Sequence, residues 1–213
     1  MVTVHHLERS QSHRVLWLCE ELGLPYELRL YERDPQTRLA PSAYRALHPL
    51  GTAPVITDGN VVLAESGAIV TYLIERYGNG RLAIPPTSPD YSAYVFWFHG
   101  ANGSVMPNLW VRVVLSRAGG SLAHPVVQAL WDRTMTAFAL IEARLEEAAF
   151  FAGDAFTAAD IMMFFPLTTM RSVAAIDLAR YPNVRCYLKR VAGRPGYQRA
   201  QAKGDPSYEP PLD

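Results

Sequence analysis

Residues 47–69 read LHPLGTAPVITDGNVVLAESGAI, and the fold is decided by how this stretch is punctuated. Pro54-Val55-Ile56 and Val61-Val62-Leu63 are short runs suited to strands, and Asp58-Gly59-Asn60 between them is a turn signal, so the pair reads as a hairpin. Proline cannot donate to a β-ladder, which places Pro54 at the opening of its strand beside a sheet edge. Glu65-Ser66 then leads into a helix. Its apolar positions Ile69, Val70, Leu73 and Ile74 recur at helical spacing until Gly78.

Towards the N-terminus, Val2 to Leu7 is β-branched-rich and alternating, which predicts a strand. A polar turn, Glu8 to His13, runs into Val15, Leu16, Leu18, Cys19 and Leu22 at helical spacing, with Gly23 as the stop. Tyr26 to Tyr31 alternates Leu28 and Leu30 with charged neighbours, a second strand, and a helical crossover makes the two strands parallel. Ser42 to Leu47 has room for one or two helical turns before Pro49. The predicted order is βαβαββα over residues 1–78.

Asn79 to Asp90 carries Gly80, Pro85, Pro86 and Pro89 without periodicity and reads as a linker, 79–90. Residues 91–213 are helical in pattern: Tyr91 to Ser116 with a kink expected at Pro107, Pro125 to Ala148, Thr157 to Arg171, Asn183 to Ala192, and a short helix after Arg194-Pro195. The fold class is therefore α/β followed by all-α in two domains. Thr157 and Asp160 have capping-box spacing, between Phe156 and Ile161, and read as folding hardware.

Composition narrows the function classes. The chain has 213 residues, 49% of them hydrophobic and 19% charged, which is globular. Lys plus Arg equals Asp plus Glu at 20 each, so no net field attracts a polyanion and no nucleic-acid partner is expected. No apolar run approaches the ~20 residues that span a bilayer, and the first ten residues do not resemble a secretory signal. Cys19 and Cys186 each fall within helical patterns, so a disulfide framework is not indicated and a cytoplasmic location is expected. His5 and His6 are strand neighbours pointing to opposite faces, and no cluster has zinc spacing, so no metal is expected.

Residues 47–56 resemble the NPxGxVPVL segment of the glutathione transferases. Leu63 to Ile69 is similar to that family's L-x-E-S-x-A-I segment, and Phe156 to Ile161 resembles its S-x-A-D helix start. The three segments lie in both halves, in order, so the resemblance covers essentially the whole chain. The stretch from His5 to Leu22 is similar to a bacterial and fungal serine-type branch. The resemblance implies a thioredoxin-like βαβαββα domain followed by an all-helical domain. Glutathione is the implied co-substrate, a small hydrophobic electrophile the second substrate, and a homodimer the assembly.

The resemblance also implies roles by position. Pro54 matches a cis proline that turns the backbone so that Val55 meets the cysteinyl part of glutathione. Glu65 and Ser66 match the γ-glutamyl site, where free N–H groups and partial positive charge at a helix start suit a carboxylate. The family places a Ser, Tyr or Cys after the first strand to hold the glutathione thiolate. Ser10, four residues before Arg14, is the first candidate for that catalytic role, and Ser12 the second; both alternatively serve as helix caps. Thr52 stands where many relatives carry Lys, so the cation for the glycyl carboxylate is missing, and His48 or Arg14 are the substitutes to consider. Asn102 matches a polar position facing the thiol, while Phe98, Met106, Trp110 and Met163 are candidates for an apolar second-substrate pocket. The alternatives are a non-catalytic binding module on this fold, or a glutathione-dependent peroxidase or disulfide reductase.

Overall fold

The computed structural model describes residues 1–213. Fourteen elements follow in order: β1 (Val2–Leu7), α1 (Ser12–Leu22), β2 (Tyr26–Tyr31), α2 (Ser42–Arg45), β3 (Val55–Asp58), β4 (Val61–Ala64), α3 (Ser66–Tyr77), α4 (Tyr91–Gly100), α5 (Met106–Arg117), α6 (Pro125–Glu147), α7 (Ala158–Phe165), α8 (Arg171–Val173), α9 (Pro182–Ala192) and α10 (Pro195–Gly204). The sheet order is β2-β1-β3-β4, with β1 parallel to β2 and antiparallel to β3, and β3 antiparallel to β4. This is the thioredoxin-like arrangement followed by helices.

Central β1 is buried at all six positions, because both faces of the sheet are covered. Val15, Leu16 and Leu18 of α1, with Ile69, Val70 and Leu73 of α3, are buried in this half of the chain. Leu7, Tyr44, Val55 and Ala64 form a separate cluster with Tyr31 and Leu47 against it. Gly23 ends α1 in the left-handed conformation, φ 64°, which glycine adopts without strain.

The chain divides into two compact units: residues 1–83 with 192–209, and residues 84–191 with 210–213. The helical pattern alone assigns 192–209 to the second domain, but α10 returns to the first unit. Its cations find α1's carboxylates: Arg194 Nη2 sits 2.8 Å from Glu21, Arg199 Nε 2.8 Å from Glu20, and Lys203 Nζ 2.6 Å from Glu20. Tyr197 stacks edge-on against Trp17 at 5.2 Å. Such pairing over 170 residues of separation leaves no periodic trace in the sequence.

In the second unit, two π-helical turns interrupt the long helices, at residues 101–105 and 166–170. Pro166 opens the second, and Pro107 lies one residue past the start of α5. Each proline lacks the N–H that would bond four residues back, and a widened turn absorbs the gap. Where the pattern predicts a kink at Pro107, a widened turn precedes it at residues 101–105. No helix is long and apolar enough to cross a membrane.

Candidate functional site

In the first unit, three elements present the residues singled out above. The first is the opening of β3. The Ala53–Pro54 peptide is cis, and Val55 is the first residue of β3, in register with His5 of β1 and Ala64 of β4. Pro54 and Val55 are buried, while Thr52 is exposed. His48 is half-buried, and its Nδ1 accepts from the Leu50 N–H at 3.2 Å.

The second is the start of α3. Glu65, not Ser66, is the N-cap, held at φ 72°, ψ 118°, a conformation that only a constrained site imposes on a residue with a side chain. Glu65 is exposed and Ser66 is 1% exposed, with the Ser66 hydroxyl accepting from Arg14 Nη1 at 3.1 Å. Arg14 also donates to Gln11 Oε1. Burial pushes the Arg14 guanidinium down to about 9, so it stays charged at neutral pH. A buried cation and a helix N-terminus thus converge on Ser66, a combination that attracts a carboxylate. Arg14 is thus hydrogen-bonded at the Ser66 end.

The third is the turn into α1. Ser10 accepts from the Ser12 N–H at 3.2 Å, as a side chain leading into a helix does, and its hydroxyl lies 2.7 Å from that of Ser12. Ser10 is 5% exposed and Ser12 fully buried. Ser12 Oγ accepts from the Leu7 N–H at 3.0 Å and lies 3.0 Å from His6 Nδ1. His6 Nε2 in turn lies 3.1 Å from Asp205 Oδ2, and Asp205 Oδ1 accepts from the Arg9 N–H at 2.9 Å. The sequence reading gave His6 and Asp205 no role. They are 199 positions apart, and only the return of α10 brings them together.

Cys19 is fully buried and its thiol is pushed up to about 12 by burial and then by Glu20, which makes it inert. No group of three or more His, Cys, Asp or Glu residues is placed to hold a metal. In the second unit, Asn102 lies on the π turn after α4; Phe98, Met106 and Met163 are buried, and Trp110 is 47% exposed.

The fold and the site define a class: a thioredoxin-like domain with a cis-proline strand and an anion-attracting helix start, followed by a helical domain. Residues 9–76 match the model of the glutathione S-transferase N-terminal domain, and residues 125–190 that of the C-terminal domain. The chain is 30% identical to glutathione S-transferase 3 of Schizosaccharomyces pombe, over 95% of this chain and 88% of that protein. It is 35% identical to a glutathione S-transferase of known structure from Actinobacillus pleuropneumoniae, with a TM-score of 0.88 over 96% and 93% of the two chains. A disulfide-bond oxidoreductase of Escherichia coli is 24% identical over 95% of each chain. The protein belongs to the glutathione S-transferase family.

Proposed function

We propose that the protein binds glutathione across β3 and the start of α3 and adds its thiolate to small hydrophobic electrophiles. The observation that carries this reading is the buried Arg14–Ser66 pair at the α3 N-terminus, in the same unit as cis-Pro54 and Ser10. In this reading the γ-glutamyl carboxylate meets Ser66 and the free N–H groups of α3, and Glu65 takes the ammonium. Val55 pairs with the cysteinyl backbone, and Ser10 faces the sulfur. Thiolate is the nucleophile, so the enzyme gains rate by holding the sulfur ionised and oriented. Asn102, Phe98, Met106 and Trp110, all in the second unit, are proposed for the second-substrate side. With Thr52 in place of a cation and His48 tied to Leu50, the glycyl carboxylate has weaker support, and modest affinity for glutathione follows.

We also propose a homodimer and a cytoplasmic location. The similarity to a disulfide-bond oxidoreductase supports a second reading in which the same bound thiolate attacks a disulfide. Cys19 is too buried to serve as the protein's own redox group there.

The test is conjugation of glutathione to a generic aromatic halide, beside calorimetric titration of glutathione. Binding with turnover is expected, and Ser10→Ala should leave binding near its original value while cutting turnover at neutral pH about 10- to 100-fold. That is the loss expected for one hydrogen bond to a charged group, at ~1.4 kcal/mol per decade. Binding without turnover against any electrophile or disulfide would favour the non-catalytic module, and no binding would remove the proposal.

A further inference from the structure

The chain Ser10–Ser12–His6–Asp205 lies behind the proposed thiol position, entirely within the first unit, and each link is within hydrogen-bond distance. Its hydrogens can be counted. An ionised carboxylate only accepts, so His6 Nε2 carries the proton that Asp205 receives. Burial raises the Asp205 carboxyl, but the hydrogen bonds from His6 and from the Arg9 N–H lower it, and it is held below its ordinary value. In the neutral ring Nδ1 is then an acceptor, and the Ser12 hydroxyl donates to it at 3.0 Å rather than to the Leu7 carbonyl at 3.3 Å. Ser12 Oγ keeps two lone pairs, one for the Leu7 N–H and one for Ser10. The Ser10 hydroxyl therefore points inward, and its remaining acceptor capacity is outward.

We propose that Ser10, Ser12 and His6 form a buried proton relay that carries the glutathione thiol proton inward to His6, where Asp205 holds the resulting imidazolium. The proposal rests on the glutathione-binding reading above. The thiol S–H bond breaks and its proton bonds to Ser10 Oγ; the Ser10 proton passes to Ser12 Oγ, and the Ser12 proton to His6 Nδ1. Each hydroxyl gains one proton and loses one. A neutral thiol and a neutral imidazole become a thiolate and an imidazolium, with no electron transferred. In the final arrangement every hydrogen points outward: His6 donates to Ser12, Ser12 to Ser10, and Ser10 to the sulfur. The same shift that ionises the thiol thus creates the donor that stabilises it.

The surroundings of His6 suit this role. Gly204 ends α10 against the ring, and a Cβ there would stand 3.0 Å from His6 Nε2 and 2.8 Å from Leu16 Cδ2. Glycine is what lets Asp205 reach the imidazole. From α1 His13 faces it, its ring 6.4 Å from that of His6. Burial and the charge of His6 push His13 down to about 4, against the pull of Asp205, so His13 stays neutral and does not oppose a charge on His6. His5 points to the opposite face, bonded to Tyr31 and Thr57. Arg33 lies within electrostatic reach of Asp205 while its Nε donates to the Glu8 carbonyl.

Proton counting on the unaltered protein tests the relay. Glutathione is titrated above the ordinary imidazole range, in buffers of differing ionisation enthalpy, while thiolate absorbance is read in parallel. Thiolate should form with far less than one proton released per sulfur ionised, because His6 keeps the proton. One proton released per thiolate overturns the relay and leaves the binding reading standing. Failure of glutathione to bind removes the binding reading and the relay with it. In His6→Gln the pH midpoint of the bound thiol should rise by at least about one unit, roughly a tenfold loss of thiolate at neutral pH, and proton release should climb to about one. Ser12→Ala, which keeps the ring, should show the same two changes. An unmoved midpoint in a folded Ser12→Ala or His6→Gln protein overturns the proposal.

Discussion

Two serines two positions apart are hard to rank from sequence, because either fits a helix-start hydroxyl. Burial separates them: Ser12 is enclosed by His6, Leu7 and Ser10, whereas Ser10 retains a little exposure. The cis bond before Pro54 and the helix start at Glu65 and Ser66 were legible because their signals are local and lie in one contiguous stretch. The pairing of His6 with Asp205 was not, since nothing in Val2–Leu7 distinguishes a histidine that meets a carboxylate 199 positions away from an ordinary strand residue. His13 shows the same dependence on the fold. Its ring stacks on Tyr197 at 5.4 Å, and burial, then His6, lowers it from 6.5 to about 4. Between those values the unfolded chain binds more protons than the folded one, so stability falls as pH drops through that window and is fully present above it. Melting temperature followed from pH 7 to 4 should decline more steeply in the unaltered protein than in His13→Phe, which keeps a ring against Tyr197. Parallel slopes would show that another group carries the acid sensitivity.

At the scale of elements, the start of α7 was readable in advance because a capping box is a four-residue pattern. Thr157 accepts from the Ala159 N–H, and Asp160 accepts from the Thr157 N–H at 2.8 Å and its hydroxyl at 3.1 Å. The structure adds what spacing does not contain: Asp160 also accepts from the Phe151 N–H at 3.0 Å and the Tyr187 hydroxyl at 3.1 Å, tying α7 to the preceding loop and to α9. Burial pushes its carboxyl up to about 6 against those four donors. Thr157→Ala removes a cap and should cost about 1 kcal/mol. Asp160→Ala strands several buried donors at about 1–3 kcal/mol each, so a loss of about 3 kcal/mol or more is expected from chemical denaturation of the full chain. Equal losses for the two variants would mean that Asp160 serves the cap alone. The π turns were harder to read. A proline in a helical pattern announces a break, but whether the chain kinks there or widens a turn depends on packing around it.

Across the whole molecule, the two-part division was legible from the Pro-rich segment 79–90 and the change of periodicity, while the return of α10 to the first unit was not. Helical periodicity marks which face is apolar and says nothing about which partner buries it. The same limit applies to assembly. Several large apolar side chains remain exposed on helices of the second unit: Phe96 on α4 at 55%, Val114 on α5 at 56%, and Leu140 on α6 at 50%. Exposed apolar side chains that gather into a patch mark interaction sites, and a twofold interface is the commonest way to cover such a patch. With 20 cations against 20 anions, net charge does not oppose self-association. A stable interface of this kind removes about 800 Å² per partner from water. Sedimentation at micromolar concentration should therefore report a dimer. Phe96→Glu should weaken it tenfold or more, because the new carboxylate would be buried without a partner. A monomer at that concentration would leave these side chains to another partner. A dimer indifferent to Phe96→Glu would move the contact away from α4.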